Sequence, residues 1–152
     1  MTTRVEDATI GDCAELTRIV RTSSAYDGRY RVMVAELGID ADYLAAHLVR
    51  VARDGDGPPL GFHTVIVPGC GADGEGEVDF MFVDGAAQGR GLGRLLISDA
   101  CEQARARGLR RLHVVSHPPS EGFYLAMGAR RVGVVPPEGE ITWSRPHLAF
   151  EL

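Results

Sequence analysis

Gln88-Gly89-Arg90-Gly91-Leu92-Gly93 lies between an apolar run, Val78-Asp79-Phe80-Met81-Phe82-Val83, and a segment that opens with Arg94-Leu95-Leu96. The run predicts a buried strand and the segment after the glycines predicts a helix. A strand feeding a glycine-rich turn into a helix N-terminus makes an anion site. Free backbone N–H groups point outward, the helix dipole favours negative charge, and glycine lets a ligand approach the main chain. Phosphate of a nucleotide-bearing cofactor is the expected guest. A dinucleotide fingerprint needs a longer gap before its third glycine and an acid about 20 residues further on. Here the glycines stand past mid-chain and the stretch from Gly108 to Leu112 offers no acid. An NTPase phosphate loop needs Gly-Lys-Ser/Thr, and this chain contains no lysine.

A second segment, Glu121-Gly122-Phe123-Tyr124-Leu125-Ala126-Met127-Gly128-Ala129, follows the glycine turn. The two segments, in this order and separation, resemble the two cofactor motifs of the GCN5-related N-acetyltransferase (GNAT) family. That family's core pattern is Gln/Arg, two residues, Gly, one residue, Gly or Ala. Met81-Phe82-Val83 resembles the strand that precedes it. The resemblance implies acetyl-CoA as co-substrate, held by Met81, Phe82, Val83, Gln88, Gly89, Arg90, Gly91, Leu92, Gly93, Arg94 and Tyr124. It also implies that Tyr124 is the acid reaching the departing sulfur, that the Met81 N–H serves the oxyanion, and that Val83 pairs with the pantetheine arm. Glu77 stands eleven residues before Gln88, the spacing of the catalytic glutamate in histone-acetylating members. Strand alternation puts Glu77, Asp79 and Met81 on one face, leading toward the acetyl carbonyl. Two readings of Glu77 stand, a base acting through water and an exposed acid at a strand start, and many relatives use a water chain with no dedicated base.

Outside the motifs, His63 is the second candidate for the base. Alternation in Gly61-Phe62-His63-Thr64-Val65-Ile66 separates His63 and Val65 from Phe62, Thr64 and Ile66, and either set can face an acceptor. No pair among His47, His63, His113, His117 and His147 has metal-ligand spacing, so no metal is expected. Three cysteines, at 13, 70 and 101, form no Cys-x-x-Cys and read as reduced thiols. Tyr26 and Tyr30, with Asp27 and Glu36, lie in an irregular stretch, Ser23 to Leu37, suited to lining a cationic-amine pocket. Asp79 joins Tyr26, Tyr30 and His63 as a candidate substrate contact. Two departures from the family pattern are Gly85, where proline is frequent, and Pro118-Pro119, where an asparagine often stands. The stretch Glu138 to Pro146, with the single tryptophan Trp143, has no readable period; it either lines the acceptor pocket or packs on the closing strands.

The elements that must position these residues follow from periodicity. Strands are expected over Thr3 to Asp7, His47 to Arg53, Leu60 to Val67, Glu77 to Val83, Arg111 to Ser116, Ala129 to Val135 and Pro146 to Glu151. Leu16, Ile19 and Val20 mark a first helix with Asp12 as its N-cap, and Asp40 caps a short second one. Leu92, Leu95, Leu96, Ala100 and Ala104 form the apolar stripe of a third, and a short fourth runs from Pro118 to near Gly128. The expected fold is α/β, one mixed and mostly antiparallel sheet with helices on both faces, matching the GNAT acyltransferase fold.

Composition agrees with a single domain over residues 1–152, with 45% hydrophobic and 24% charged residues. A net charge of −5 argues against nucleic acid as a partner. No apolar run reaches the roughly 20 residues of a membrane span and the N-terminus lacks a signal-peptide layout, so no membrane association and a cytoplasmic location are expected. The expected function is transfer of acetyl from acetyl-CoA to a primary amine of a small-molecule acceptor, by direct attack in a ternary complex. The alternatives are a non-catalytic acyl-CoA sensor, a longer-chain acyltransferase, and a protein amine as acceptor. A homodimer is a further expectation, with Phe150 on the last strand as its support.

Overall fold

The structure, a computed structural model, describes residues 2–152. Seven strands form one sheet in the order β1-β2-β3-β4-β5-β7-β6. They are β1 (Thr3–Asp7), β2 (Leu48–Asp54), β3 (Gly61–Ile66), β4 (Gly76–Val83), β5 (Arg111–Val115), β6 (Arg130–Val135) and β7 (Arg145–Glu151). Four helices are α1 (Cys13–Arg21), α2 (Ala41–Ala46), α3 (Leu92–Ala106) and α4 (Glu121–Ala126). The Ser23 to Leu37 stretch, without a clean period in sequence, folds as two 3-10 segments, Ser24–Tyr26 and Gly28–Met33.

Every strand pair is antiparallel except β4 with β5. That pair is parallel and short, joining only Gly76 to Leu112 and Glu77 to His113 before the strands part. A wedge opens where pairing stops, and the glycine turn closes one side of it.

The two sheet faces carry separate cores. Leu16, Ile19 and Val20 of α1 pack on Val49, Val51, Phe62, Phe80 and Phe82. On the other face, Ile97, Ala100 and Ala104 of α3 pack on Val65, Val78, Leu112, Val114, Leu148 and Phe150. Full burial of a side chain of this size contributes about 1.5–3 kcal/mol, which is why a nine-residue α1 and a six-residue α4 hold without strong capping. Asp12 stands at the α1 N-cap but makes no cap hydrogen bond. Its carboxylate instead accepts from Thr9 N–H at 3.0 Å and pairs with Arg53 at 2.8 Å. Phe150, expected to support a dimer, is only 5% exposed within the α3-side core and so offers no surface to a second copy.

A bulge in β4 corrects one sequence expectation. Val78 pairs with Val65 and Met81 with His63, so two residues, Asp79 and Phe80, stand opposite Thr64 alone. Extra residues of this kind shift side-chain alternation by one. Val78 and Met81 therefore both pack toward α3, while Phe80 and Phe82 pack toward α1. Glu77 and Asp79 fall on the α1 face and not with Met81.

Candidate active site

A cleft of about 490 Å³ fills the wedge between β4 and β5, a size usual for small-molecule sites. Met81, Phe82 and Val83 of β4 line it, with Gln88, Gly89, Gly91, Leu92, Gly93 and Arg94 of the turn and α3, and Tyr124 of α4. Ten of the sequence-expected cofactor residues thus share one cavity. Arg90 does not: its guanidinium turns back to Asp54 at 2.9 Å and to Thr3 Oγ1 at 3.1 Å. With an acid and a hydroxyl already at hand, that side chain closes the β1–β2 end of the sheet and leaves only main chain to the turn.

Local backbone explains the turn. Gly89 and Gly91 have φ of +82° and +75°, a region that costs other residues energy. Gly91 is the N-cap of α3 and has no side chain to satisfy the first-turn N–H groups. A Cβ at Gly89 or Gly91 would meet nothing within 4 Å, so this backbone borders open space. Unsatisfied donors at the head of a 15-residue helix, beside an open cleft and Arg94, fit a pyrophosphate.

Tyr124 is 7% exposed, and burial with Tyr26 nearby pushes its phenol above the usual value. A phenol so placed stays protonated at neutral pH, as an acid for a thiolate must. Its ring meets Phe123 edge-on at 5.1 Å.

On the α1 face the cleft is bordered by Asp79, Tyr26 and His117. Asp79 Oδ2 accepts from the Tyr43 hydroxyl at 2.7 Å, and Tyr43 lies 2.8 Å from Thr64 Oγ1. Thr64 in turn accepts the Phe80 N–H at 2.9 Å. Tyr43 has a single proton and gives it to the acceptor-only carboxylate, so Thr64 donates its own proton to Tyr43, giving one directed chain from the bulge to Asp79. Burial, then Asp79, raises the Tyr43 phenol. Tyr26 stacks on His117 at 3.9 Å, and His117 Nε2 donates to Ala25 O at 2.9 Å. Burial lowers His117, keeping it neutral.

Tyr30 stands behind this pair, edge-on to His117 at 5.4 Å and to Trp143 at 5.0 Å. It is not a cleft-lining residue but braces one. Trp143, unreadable in sequence, is 8% exposed and packs edge-on to Tyr30.

Two expected bases are placed elsewhere. His63 is fully buried, with Nε2 2.7 Å from Asp99 Oδ2 on α3. It occupies the α3 face and cannot touch an acceptor. Arg50 grips the same carboxylate at 3.0 Å. Although burial raises Asp99, bonds from His63 and Arg50 hold it down at about 2. Glu77 is half-buried at the start of β4 and its Oε1 accepts the Cys70 N–H at 2.8 Å. Asp79, and not Glu77, lines the cleft.

With this geometry in hand, comparison with known proteins is decisive. The model of the acetyltransferase (GNAT) family matches residues 15–129. The chain belongs to the acetyltransferase (GNAT) family. Glucosamine 6-phosphate N-acetyltransferase 1 of Oryza sativa subsp. japonica is 33% identical over 113 residues, 70% of this chain and 63% of that protein. The chain therefore spans less than two thirds of that relative's length. A GNAT-family protein of Desulfovibrio desulfuricans superposes with a TM-score of 0.80 at 17% identity, covering 99% of each chain. A Bacillus subtilis acetyltransferase in complex with CoA gives 0.74 at 18% identity, again over 99% of each. These two share the fold of this GNAT domain. No helix among the described residues is long and apolar enough to cross a membrane.

Sequence reasoning missed Tyr43, Thr64 and His117. The first two meet Asp79 only because the bulge turns it toward α2, and no local spacing announces that. His117 was visible as a histidine but not as the partner of Tyr26, 91 positions earlier.

Proposed function

We propose that this GNAT domain transfers the acetyl group of acetyl-CoA to a primary amine of a small-molecule acceptor, the amine attacking the thioester carbonyl directly while both are bound. The observation that carries this reading is the single cleft that joins the open glycine turn to Tyr124 on one side and Asp79 on the other. CoA lies along the wedge with pyrophosphate on the Gly89 to Arg94 main chain and pantetheine against Met81 to Val83. Gln88 Nε2, now on Val83 O at 3.2 Å, yields that carbonyl to the pantetheine amide.

Asp79 holds the acceptor ammonium and takes its proton, with Tyr43 and Thr64 fixing the carboxylate. The free amine adds to the thioester carbonyl, the tetrahedral adduct loses its extra nitrogen proton to solvent, and the C–S bond then breaks as it collapses to the amide. The Met81 N–H stabilises the oxyanion, and Tyr124 gives its proton to the thiolate and regains one from solvent. Most of the rate gain comes from positioning an already activated thioester, worth up to roughly 7–11 kcal/mol for well-oriented reactants. Glu77, outside the cleft and bonded to the Cys70 loop, is left out of the proton transfer. The rice relative named for glucosamine 6-phosphate supports a small acceptor carrying an amine.

The test is CoA-thiol release from acetyl-CoA against amino sugars, aminoglycosides, polyamines, amino acids and lysine peptides. Turnover with a small amine supports the proposal. Thermal stabilisation by acetyl-CoA with no thiol release across the panel would overturn it in favour of a sensor, and turnover with peptides alone would overturn the acceptor class.

A further inference from the structure

At the end of β4 farthest from the glycine turn lies a second constellation that the transfer chemistry does not use. Cys70 sits in the loop between β3 and β4, His113 on β5 and His147 on β7. One ligand atom from each lies within 4.8 Å of the other two. His113 Nδ1 is 2.9 Å from His147 Nε2, and Cys70 Sγ is 3.9 Å from that same nitrogen. Leu112, Val114 and Leu148 pack toward α3, so alternation puts both histidines on the opposite face with Glu77.

We propose that Cys70, His113 and His147 form a binding site for a borderline divalent transition cation, zinc(II) above all, with Glu75 holding His113 in its ligating tautomer. The ligand set decides the class, because one thiolate and two imidazoles suit zinc and not the oxygen-seeking magnesium or calcium. Metal–sulfur and metal–nitrogen bonds of about 2.3 and 2.0–2.1 Å put tetrahedral ligands about 3.3–3.6 Å apart. The separations here bracket that range, and the exposed Cys70 side chain is the one free to close the gap.

Glu75 is an independent sign of a built site. It is 6% exposed, and its Oε1 accepts from His113 Nε2 at 2.8 Å and from the Ala72 N–H at 3.0 Å, while Oε2 pairs with Arg110 at 3.2 Å. His113 therefore carries its proton on Nε2 and presents the Nδ1 lone pair inward, the carboxylate–histidine arrangement that orients metal ligands. The loop is shaped for the same contact. A Cβ on Gly71 would fall 2.8 Å from Glu75 Cβ and 3.0 Å from His113 Cδ2, and one on Gly69, at φ +58°, would fall 2.5 Å from Glu77 Cβ. Only glycines let Cys70 close over the histidine pair.

On coordination, Cys70 loses its thiol proton to solvent and His147 carries its proton on Nδ1, so that Nε2 turns from donor to ligand. Three protein ligands leave a fourth position for water on the exposed Cys70 side.

Cobalt(II) titration of the chelator-stripped full chain tests this. One equivalent should produce a thiolate-to-cobalt charge-transfer band and tetrahedral d–d bands, both displaced by one equivalent of zinc(II). Cys70→Ser should abolish the charge-transfer band and weaken zinc binding at least 100-fold. His147→Gln should weaken it similarly, and Glu75→Gln should keep the band while weakening binding 10- to 100-fold. Cys13→Ser should change neither. Absence of the band at one equivalent in the folded wild-type chain, or its persistence in Cys70→Ser, overturns the site.

Discussion

The two sides of the cleft are made in different ways. The side proposed for the acetyl donor is nearly continuous in sequence: Met81 to Val83, the turn from Gln88 to Gly93, and the head of α3 follow one another within fourteen residues, 81 to 94. Its working groups are mostly main chain, so its geometry is fixed by strand, turn and helix. The side proposed for the acceptor gathers Tyr26, Tyr43, Thr64, Asp79 and His117 from five separate segments and presents side chains. A backbone site tolerates change everywhere except where the backbone itself needs glycine. A side-chain site changes with each residue replaced. The donor side can thus stay constant while the acceptor side is varied to suit a substrate.

The sharpest way to break this division is at Gly91. Gly91→Glu forces a side chain into φ +75° and sets a carboxylate where pyrophosphate charge would lie. CoA affinity should fall more than 100-fold by isothermal calorimetry, with amine binding spared; retained CoA binding would remove the turn from the donor site. Tyr124→Phe should come next. Loss of the acid should lower kcat by about 10- to 100-fold with the CoA Kd nearly unchanged, and an unaltered kcat would show that the thiolate leaves unaided. On the acceptor side, Asp79→Asn should lower kcat/KM for the amine by about 10-fold and leave CoA binding alone. Glu77→Gln, bonded to the Cys70 loop and outside the cleft, should cost less. If the two effects are reversed in size, Glu77 is the base and Asp79 only a contact.

The same division governs what was legible in the sequence. All seven strands and the glycine turn were readable because short-range period and turn chemistry determine them, with strand bounds shifted by at most one residue. The residues expected to hold the cofactor came with them as cleft-lining residues, since neighbours in sequence become neighbours in the cleft. Arg90 is the exception, because Asp54 recruits its guanidinium from 36 positions away. The acceptor side was mostly illegible. One extra residue in β4 undoes the alternation on which Glu77, Asp79 and Met81 were grouped, and nothing in Val78-Asp79-Phe80-Met81 distinguishes a bulge from a regular strand. His63 shows the same limit: alternation separated it from Thr64, but only the position of Asp99 on α3 decides which set faces the acceptor. The grouping of Cys70, His113 and His147 was likewise invisible, since metal-ligand spacing in a chain need not match spacing across three neighbouring segments of a sheet.

Acid stability offers the smallest effect and distinguishes the two faces once more. Burial depresses His63 on the α3 face and His117 on the acceptor face below 6.5, so both are neutral when folded. An unfolded chain then binds the proton first, and stability is complete above pH 6.5 and falls as pH drops below it. A second loss follows at lower pH. His113 foremost holds Glu75 at about 2 against an ordinary 4.5, and Asp99 lies at about 2 against 3.8. Depressed carboxyls give stability that is present above their unfolded values and lost as pH falls from there toward 2. The melting temperature should therefore decline in two steps. His63→Gln, which can still donate to Asp99, should flatten the step between pH 7 and 5 without altering KM for the amine. His117→Gln should flatten the same step and also raise that KM, because it removes the ring on which Tyr26 stacks. An unchanged KM in His117→Gln, with the flattened step present, would make that aromatic pair a structural prop, leaving acceptor selection to Asp79.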